Sequence, residues 1–363
     1  MEQKYLLIII TLGTLLFIGL ILGLVLGLTI KEDEVNKGNV NGYEVLNSYS
    51  NTEELKKKFT TTYTTTVNEG IEKRIQNRLL TGFENWNRGF NAWKEWGNIL
   101  YTKDSIYNVH GARLTLEHYQ QAMDIALKQA DIIMGNFYNM LIVNNFYAIH
   151  YDFKTNGRSS HVMEFVEFAD YGNGEYDTRV VEGWGSTKDS TYYGTINFQG
   201  SEEKKEQEEL NNLLLTYQLP TGHDNDLTNK YLIKYDFNNS DSDADTILDI
   251  ILKGFDSWND GYSSYYTWVN GNFDQNATSF SLKEEYRNLT TYLEEIEELF
   301  KNEEITKLYF DNVLIREKWA AIHYRYRRFD KKNFKVSVGD RMEFFQFQED
   351  GSDNLKIIGN WIQ

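Results

Sequence analysis

Two glutamates and two histidines occupy matching places in two similar stretches of this chain, and these side chains are the best suited to acid–base chemistry. His150 lies in the segment FYAIHY and His323 lies in WAAIHY. Glu164 and Glu343 each stand between a methionine and a phenylalanine. Burial shifts the pKa of such groups, and a general acid or base needs a pKa near the working pH. The first question is therefore which of the four could enter a pocket.

Side-chain alternation along a strand answers part of that question. Around His150, the alternate set that includes Tyr147 and Tyr151 is the more uniformly apolar one, so we predict that it faces a layer of helices. His150 and His323 then point to the back of the sheet, where we expect a surface or an interface. For the two glutamates both interpretations stay open: a buried acid, or a strand-edge acid paired with Arg or Lys.

Other kinds of site are disfavoured by what the sequence lacks. The chain has no Cys, so disulfides, thiolate catalysis and Cys-based zinc sites are absent. It also lacks the zinc-protease, phosphate-loop, dinucleotide and nucleophile-elbow motifs. Three aspartates (Asp241, Asp243, Asp245) resemble the start of a calcium loop, but Thr246 and Leu252 replace its glycine and closing acid. We therefore predict helix capping there, with no metal and no cofactor.

The composition describes a folded, acidic protein. The 363 residues include 54 acidic and 37 basic side chains, for a net charge of −17. Nucleic-acid binding needs clustered Lys and Arg, so this balance argues against it. The hydrophobic content of 41% and the aromatic content of 15% are sufficient for buried cores. The length allows two or three domains.

An aromatic phrase occurs twice and predicts an internal repeat. GFENWNRGF begins at Gly82 and GFDSWNDGY begins at Gly254, 172 residues later (254 minus 82). Apolar residues at steps of three and four run through both phrases, which predicts an amphipathic helix in each. Gly82 and Gly89 each cost about 1 kcal/mol in a helix, so they indicate close packing or a kink. The stripes are Ile71, Ile75, Leu79, Phe83, Trp86, Phe90 and Trp93 in the first copy, and Ile247, Ile251, Phe255, Trp258, Tyr262 and Tyr265 in the second.

Each copy continues with a second helix and then with strands. Segments rich in aromatic and branched residues follow the helices, with hairpin turns at 171–174 and 349–352. This order predicts an α+β class with two tandem domains at 59–200 and 231–363, joined by a charged linker at 201–230. The predicted second helices carry Leu116, Tyr119, Met123, Leu127 and Ala130 in the first copy, and Leu282, Tyr286, Leu289, Leu293 and Ile296 in the second.

The N-terminal region predicts a membrane anchor. Residues 5–30 contain no charge and would form a helix of about 39 Å, long enough to cross a hydrocarbon core of about 30 Å. We predict an uncleaved transmembrane helix, a cytoplasmic tail at 1–4, a juxtamembrane linker at 31–58 and an extracytoplasmic body at the cell membrane. Gly19, Gly23 and Gly27 share one helical face and could support a homodimer, although glycine is also simply common in such helices.

The order of elements and several phrases resemble the SnoaL-like, or nuclear transport factor 2-like, superfamily over 71–184 and 247–361. The resemblance implies cone-shaped domains, in which helices cover a curved antiparallel sheet and leave a deep pocket. The second copy departs at Asn276, where the first has Asp104. The phrases that carry the resemblance are WNRG at 86–89, YTKDSIY at 101–107, AIHY at 148–151 and GDRMEF at 339–344.

The resemblance also implies where a site would lie. It places the pocket mouth near Tyr107 and His110, which makes His110 a candidate for catalysis. Glu164 is a second candidate, as the possible buried acid on its strand. Tyr107, Tyr151 and Tyr324 are candidates for a ligand pocket. Single-domain members commonly pair through the backs of their sheets, and we expect the same contact between the two copies here. Its candidate residues are Phe146, His150, Trp319 and His323.

Fold does not decide function in this superfamily, which includes isomerases, dehydratases and cyclases as well as binding and assembly modules. We expect a non-enzymatic protein whose extracytoplasmic domains bind a small apolar ligand or a partner protein. The alternative is an isomerase, a dehydratase or a cyclase-like lyase with a pocket His or Glu as general base in the first domain. A third possibility is an assembly subunit gathered through the glycine-rich span.

Overall fold

The computed structural model of the chain describes residues 52–59, 63–109, 112–129, 132–155, 158–170, 178–186, 191–197, 233–237, 243–281, 285–352 and 354–362. Residues 1–4, the predicted span at 5–30 with its three glycines, and the linker at 201–230 lie outside these ranges. Within the ranges, no helix is both long enough and apolar enough to span a bilayer.

The chain divides into two compact units between Gly185 and Ser186. This boundary differs from the predicted one at residue 200, because a strand at Thr191–Asn197 pairs with the sheet of the second unit. The first unit also begins earlier than predicted, since Leu55 and Phe59 are buried in its core. We refer to the units as the first and second domains.

The first domain has helices before most of its strands, as predicted. Its helices are α1 (Thr52–Lys58), α2 (Ile71–Asn87), α3 (Phe90–Leu100) and α4 (Leu116–Gln129). Its strands are β1 (Tyr63–Thr64), β2 (Tyr101–Val109), β3 (Ala112–Thr115), β4 (Ile132–Val143), β5 (Phe146–Thr155), β6 (Arg158–Asp170) and β7 (Thr178–Ser186). They form one sheet in the order β1-β4-β5-β6-β7-β2-β3. The β4–β5 and β5–β6 pairs are antiparallel, whereas β2 pairs with β7 in parallel.

The second domain repeats this arrangement. Its strands begin with β8 (Thr191–Asn197) and β9 (Ile233–Phe237), followed by helices α5 (Ala244–Asn259) and α6 (Tyr262–Asn272). Then come β10 (Phe273–Ser281), β11 (Glu285–Asn288), α7 (Leu289–Asn302), β12 (Glu303–Arg316), β13 (Trp319–Asp330), β14 (Lys335–Glu349) and β15 (Leu355–Ile362). The sheet order is β11-β10-β15-β14-β13-β12-β9, and β8 also pairs with β14. The prediction of two tandem α+β domains is confirmed.

Each predicted long helix is in fact two helices, because a glycine breaks it. Gly89 has φ of 115° and Gly261 has φ of 106°, which lie in a region that side chains with a Cβ rarely adopt. Gly82 has the other predicted role, close packing: a Cβ there would lie 2.5 Å from the Trp96 ring. Gly254 repeats this contact with Trp268. The kink and the close packing therefore belong to different glycines of the same phrase.

The predicted second helix of the second copy begins later than expected. Asn288 caps α7 by accepting a hydrogen bond from the Thr291 backbone N–H at 2.9 Å. Tyr286 therefore lies in strand β11, with 66% of its surface exposed, and Leu282 lies outside the described residues. The buried Tyr292 is the counterpart of Tyr119, so spacing alone placed this helix six residues too early (292 minus 286).

The repeated Trp-Asn pair fastens α2 and α5 to the first long strand of their sheets. Trp86 Nε1 donates to the Ile132 carbonyl at 2.8 Å, and Asn87 both accepts from and donates to the Met134 backbone. Trp258 and Asn259 make the same bonds to Ile305 and Lys307. These bonds make Met134 and Lys307 structurally equivalent positions.

The predicted inward faces are confirmed. In the first domain the set Tyr147, Ile149, Tyr151 and Phe153 belongs to the core that α2 and α3 cover. In the second domain the core contains Ala320, Ile322, Tyr324 and Tyr326. The alternation of β5 and β13 therefore decides which side chains can line an interior site.

We predict that Gly82→Ala destabilises the first domain by about 1–3 kcal/mol, because the added methyl group would overlap the Trp96 ring. Urea unfolding of the full chain, followed by tryptophan fluorescence, measures the change. Gly271→Ala is the control: nothing lies within 4 Å of its added Cβ, so it should cause no loss. Equal effects of the two changes would contradict the packing role of Gly82.

Candidate functional site

Glu164 lies on the helix-covered face of the first sheet. The register of β5 and β6 places it opposite Ile149, with Tyr147 and Tyr151 on either side as diagonal neighbours. Only 8% of its surface is exposed, so it is a buried acid rather than a strand-edge acid paired with Arg or Lys. The first of the two interpretations left open by the sequence is therefore the one that the structure shows.

Three tyrosine hydroxyls donate hydrogen bonds to this carboxylate. Tyr107 and Tyr151 donate to Oε1 at 2.7 and 2.8 Å, whereas Tyr147 approaches Oε2 at 3.5 Å. We call these four residues the Glu164 cluster. Its two oxygens are unequally occupied, because Oε1 has two good donors and Oε2 has one long contact.

Two glycines create the space that Tyr107 occupies. Tyr107 on β2 pairs with Gly183 on β7, and a Cβ at Gly183 would lie 2.7 Å from its ring. A Cβ at Gly185 would lie 2.3 Å from its hydroxyl oxygen. Tyr107 also stacks on Tyr119 of α4 at a centroid distance of 4.6 Å. Neighbours on a strand and on a helix thus aim the hydroxyl at Glu164.

Burial raises the pKa of Glu164, and the hydrogen bonds from Tyr107, Tyr151 and Tyr147 partly offset this effect. Burial and then the Glu164 charge raise the pKa of all three tyrosines well above the usual value. The tyrosines therefore remain donors, and Glu164 is the one group of its cluster whose titration moves toward neutral pH. Such a carboxyl can accept a hydrogen bond from a ligand or exchange a proton with it.

The second domain keeps the glutamate but changes its surroundings. Glu343 lies opposite Ile322 and accepts a hydrogen bond from Tyr324 at 2.5 Å. Asn360 makes a longer contact of 3.5 Å to its other oxygen. The positions of Tyr147 and Tyr107 are taken by Ala320 and Ser279. Two of the three tyrosine donors are therefore missing.

Two cations lie near Glu343 instead, at the positions of Met134 and Val162 in the first domain. Lys307 on β12 is 6% exposed, and its Nζ lies 4.1 Å from the ring centroid of Phe255 and 4.8 Å from that of Trp258. Arg341 lies two residues before Glu343, at the register position opposite Tyr324. We call Lys307, Tyr324, Arg341 and Glu343 the Lys307 cluster. The same fold thus surrounds an acid with hydroxyls in one domain and with positive charges in the other.

Burial lowers the pKa of Lys307 from 10.5 to about 8, with Glu343 opposing the shift and Arg341 adding to it. A shift of this size means that holding the ammonium group charged at neutral pH costs the fold on the order of 3 kcal/mol. Cation–π contact with the surrounding rings offsets part of the cost of burying the charge.

The two histidines lie on the face away from the helices, as predicted, and both are buried. His150 pairs with His161 at 3.0 Å between ring nitrogens, and burial, followed by His161, lowers its pKa well below the usual range. His323 Nε2 lies 2.6 Å from an oxygen of Asp340. Contact of Phe146, His150, Trp319 and His323 across a domain interface stays a prediction. Trp319 does have a partner in its own domain, the Trp361 ring at 5.5 Å.

The remaining sequence candidates have different outcomes. His110 lies outside the described residues. Asp104, which the resemblance singled out, is exposed on β2. In the described ranges no three His, Asp or Glu side chains are grouped to hold a metal. Asp243 stands at the N-cap of α5 but its side chain makes no capping bond there, whereas Asp245 lies in the first helical turn.

Sequence reasoning missed Lys307 and Arg341, and it missed the role of the glycines on β7. The available signal was the pair of glycines in Gly183-Trp184-Gly185, because alternating glycines on a strand make room for a large neighbour on one face. The signal for Lys307 was weaker: in the first copy an apolar residue, Met134, occupies the equivalent position.

No family model matches the chain, and no curated protein matches its sequence. Solved structures that resemble it cover about one domain. A ketosteroid isomerase-like protein from Erwinia carotovora atroseptica SCRI1043 aligns over 34% of this chain and 95% of its own, at 9% identity and a TM-score of 0.28. An NTF-2-like protein of unknown function from Shewanella oneidensis MR-1 aligns over 32% and 96%, at 13% identity and a TM-score of 0.25.

A SnoaL-like polyketide cyclase candidate from Mesorhizobium loti aligns over 32% of this chain and 97% of its own, at 11% identity and a TM-score of 0.26. At these scores and identities the alignments carry no argument about activity.

We predict that Tyr107→Phe raises the pKa of Glu164 further, because it removes a hydrogen bond that stabilises the carboxylate. Carbon-detected NMR titration of labelled Glu side chains in the full chain measures the shift. Tyr286→Phe is the matched control, since this tyrosine is exposed in the second domain. A Glu164 pKa that is the same in the Tyr107→Phe variant as in the unaltered chain would show that the hydroxyl does not act on this carboxyl.

Proposed function

We propose that this chain is a membrane-anchored, extracytoplasmic tandem protein of the SnoaL-like type, whose first domain binds a small apolar ligand without transforming it. The ligand would carry one hydrogen-bond donor, which Oε2 of Glu164 accepts. Two features support the family assignment: the helices-first order in both domains, and the placement of the inward tyrosines on the central strands.

The unequal occupancy of the Glu164 oxygens is the observation that carries the binding proposal. Tyr107 and Tyr151 hold Oε1 at normal distances, while the contact of Oε2 with Tyr147 is at the limit of a hydrogen bond. A buried carboxylate oxygen with spare acceptor capacity is costly unless a donor reaches it. The surrounding core side chains are apolar or aromatic, so they suit a ligand that is apolar apart from that donor.

The same geometry weighs against catalysis by a strong general base. Hydrogen bonds from Tyr107 and Tyr151 stabilise the carboxylate and reduce its basicity. The alternative function, an isomerase, dehydratase or cyclase-like lyase, is favoured by one observation: burial still leaves the pKa of Glu164 raised. Exchange of the α-protons of a simple cyclic ketone for deuterium, in the presence of the full chain but not of a Glu164→Gln variant, would favour the enzyme.

We predict that the full chain binds 2-naphthol at least about tenfold more tightly than 2-methoxynaphthalene, because only the former can donate to Glu164. A hydrogen bond to a charged group is worth about 1.5–3 kcal/mol, which corresponds to this ratio. Titration calorimetry measures both affinities. Glu164→Gln should remove the preference, since the Gln amide nitrogen would take the place of Oε2 while its oxygen still accepts from Tyr107 and Tyr151.

Glu343→Gln in the second domain is the matched control and should leave the 2-naphthol preference intact. Equal binding of the two probes to the unaltered chain would argue against a donor-specific site. An unchanged preference in Glu164→Gln would place the site elsewhere. If neither probe binds, the proposal of a small-molecule site in the first domain is contradicted. The other occupant that we expected from the sequence, a partner protein, would then be the one to test.

The anchor is a separate part of the proposal and rests on the uncharged run at 5–30. We predict that the full chain stays in the membrane pellet after carbonate extraction, whereas a chain beginning at Lys31 does not. Immunoblotting of both fractions measures the distribution. Recovery of the full chain in the carbonate supernatant would contradict a membrane-spanning segment.

A further inference from the structure

Lys307 is a buried cation without a hydrogen-bond acceptor in the part of the chain that the structure describes. Its Nζ stands over three aromatic rings, at centroid distances of 4.1 Å for Phe255, 4.8 Å for Trp258 and 5.0 Å for Tyr324. Glu343 is the carboxylate whose charge acts on Lys307, and among the described residues no ion pair is formed at the lysine Nζ. A desolvated ammonium in such a place lacks the partner that buried charges normally have.

The fold does not require a charge at this position. Met134 occupies the same place in the first domain, where its backbone makes the same pair of hydrogen bonds to an asparagine. A methionine therefore satisfies the local packing, and the charge of Lys307 needs another explanation.

The charges around Lys307 do not balance. Arg341 adds a second cation near Tyr324, and its counterpart in the first domain is the apolar Val162. Glu343 is the acid of the cluster, and it is already bonded to Tyr324 and contacted by Asn360. Two cations against one acid leave one positive charge in excess. The first domain has the opposite excess, with Glu164 facing neutral tyrosines.

We propose that the second domain binds an apolar monocarboxylate, with its anionic group at Lys307 and Arg341 and its apolar body against the aromatic rings of this core. One excess positive charge matches a monoanion. The rings of Phe255, Trp258 and Tyr324 match an apolar body, since aromatic walls gain by covering apolar surface. This site lies in the other domain from the Glu164 cluster, so either proposal can fail without the other.

The test uses three fluorinated probes of nearly equal size: 4-(trifluoromethyl)benzoate, its neutral benzamide and the corresponding benzylammonium. Fluorine NMR titration of the full chain at pH 7 gives their affinities. We expect the benzoate to bind at least about tenfold more tightly than the benzamide, and the cation to bind weakest, because a charge-assisted contact contributes about this much.

Variants then locate the effect. Lys307→Met installs the residue of the first domain, so it should fold, and it should reduce benzoate affinity to that of the benzamide. Arg341→Val, which copies Val162 of the first domain, should weaken benzoate binding by a smaller factor. Lys301→Met is the matched control, because Lys301 is exposed on α7, and it should change nothing.

Circular dichroism and tryptophan fluorescence establish that each variant is folded. Equal affinities of benzoate and benzamide for the unaltered chain would overturn the proposal. Benzoate binding that is unaffected by Lys307→Met would also overturn it, since the anion would then bind elsewhere. Loss of benzoate binding in Glu164→Gln but not in Lys307→Met would assign the anion to the first domain and overturn the proposal as well.

Discussion

The attachment of each leading helix to the first long strand of its sheet is the interaction on which both domains depend. A Trp indole N–H reaches a strand carbonyl, and the next Asn makes two backbone bonds one residue pair further along. The strand backbone groups that accept or donate these bonds would otherwise lack hydrogen-bond partners on the side of the helix. The bonds therefore satisfy those groups and fix the position of the helix relative to the strand. The position of the helix then determines which strand residues lie beneath it. The Trp-Asn pair is repeated in the sequence because each domain uses it to make these bonds.

On this common frame the two interiors differ in charge. Glu164 faces three hydroxyls, whereas Glu343 faces one hydroxyl, one amide, a lysine and an arginine. The substitutions responsible are few and occur at equivalent inward positions: Tyr to Ala, Tyr to Ser, Met to Lys and Val to Arg. Hydrogen bonds to the backbone fix the arrangement of helix and sheet in both domains. Inward side chains can therefore change, even where the change reverses the sign of the excess charge in the interior. Domains with one architecture can therefore have interiors of different charge.

The sequence predicted the frame well and the site in part. Alternation along β5 and β13 correctly assigned Tyr151 and Tyr324 to the interior and His150 and His323 to the back, because regular strands have a period of two. The inward position of Lys307 was missed because the register of β12 shifts between Lys307 and Tyr309. An extra residue at such a shift inverts the alternation of inward and outward side chains on one side of it. The start of α7 was predicted wrongly because the capping side chain of Asn288 sets it, and the spacing of apolar residues does not reveal a cap. The contact of Tyr107 with Glu164 joins strands that are far apart in sequence, so no local pattern reveals it.

Burial disfavours the ionised forms of Glu164 and Lys307, which separates these side chains from ordinary structural ion pairs. Burial raises the pKa of Glu164, so stability of the first domain falls as pH rises from the ordinary value through the folded one. Burial lowers the pKa of Lys307 to about 8, so its penalty is fully present below pH 8 and is relieved only as pH rises toward 10.5. Near pH 7 Lys307 thus carries a charge that an apolar residue could replace with a gain in stability, as Met134 illustrates in the first domain. Because burial opposes the ionised form of each side chain, a bound ligand that compensates its charge would stabilise the domain that holds it.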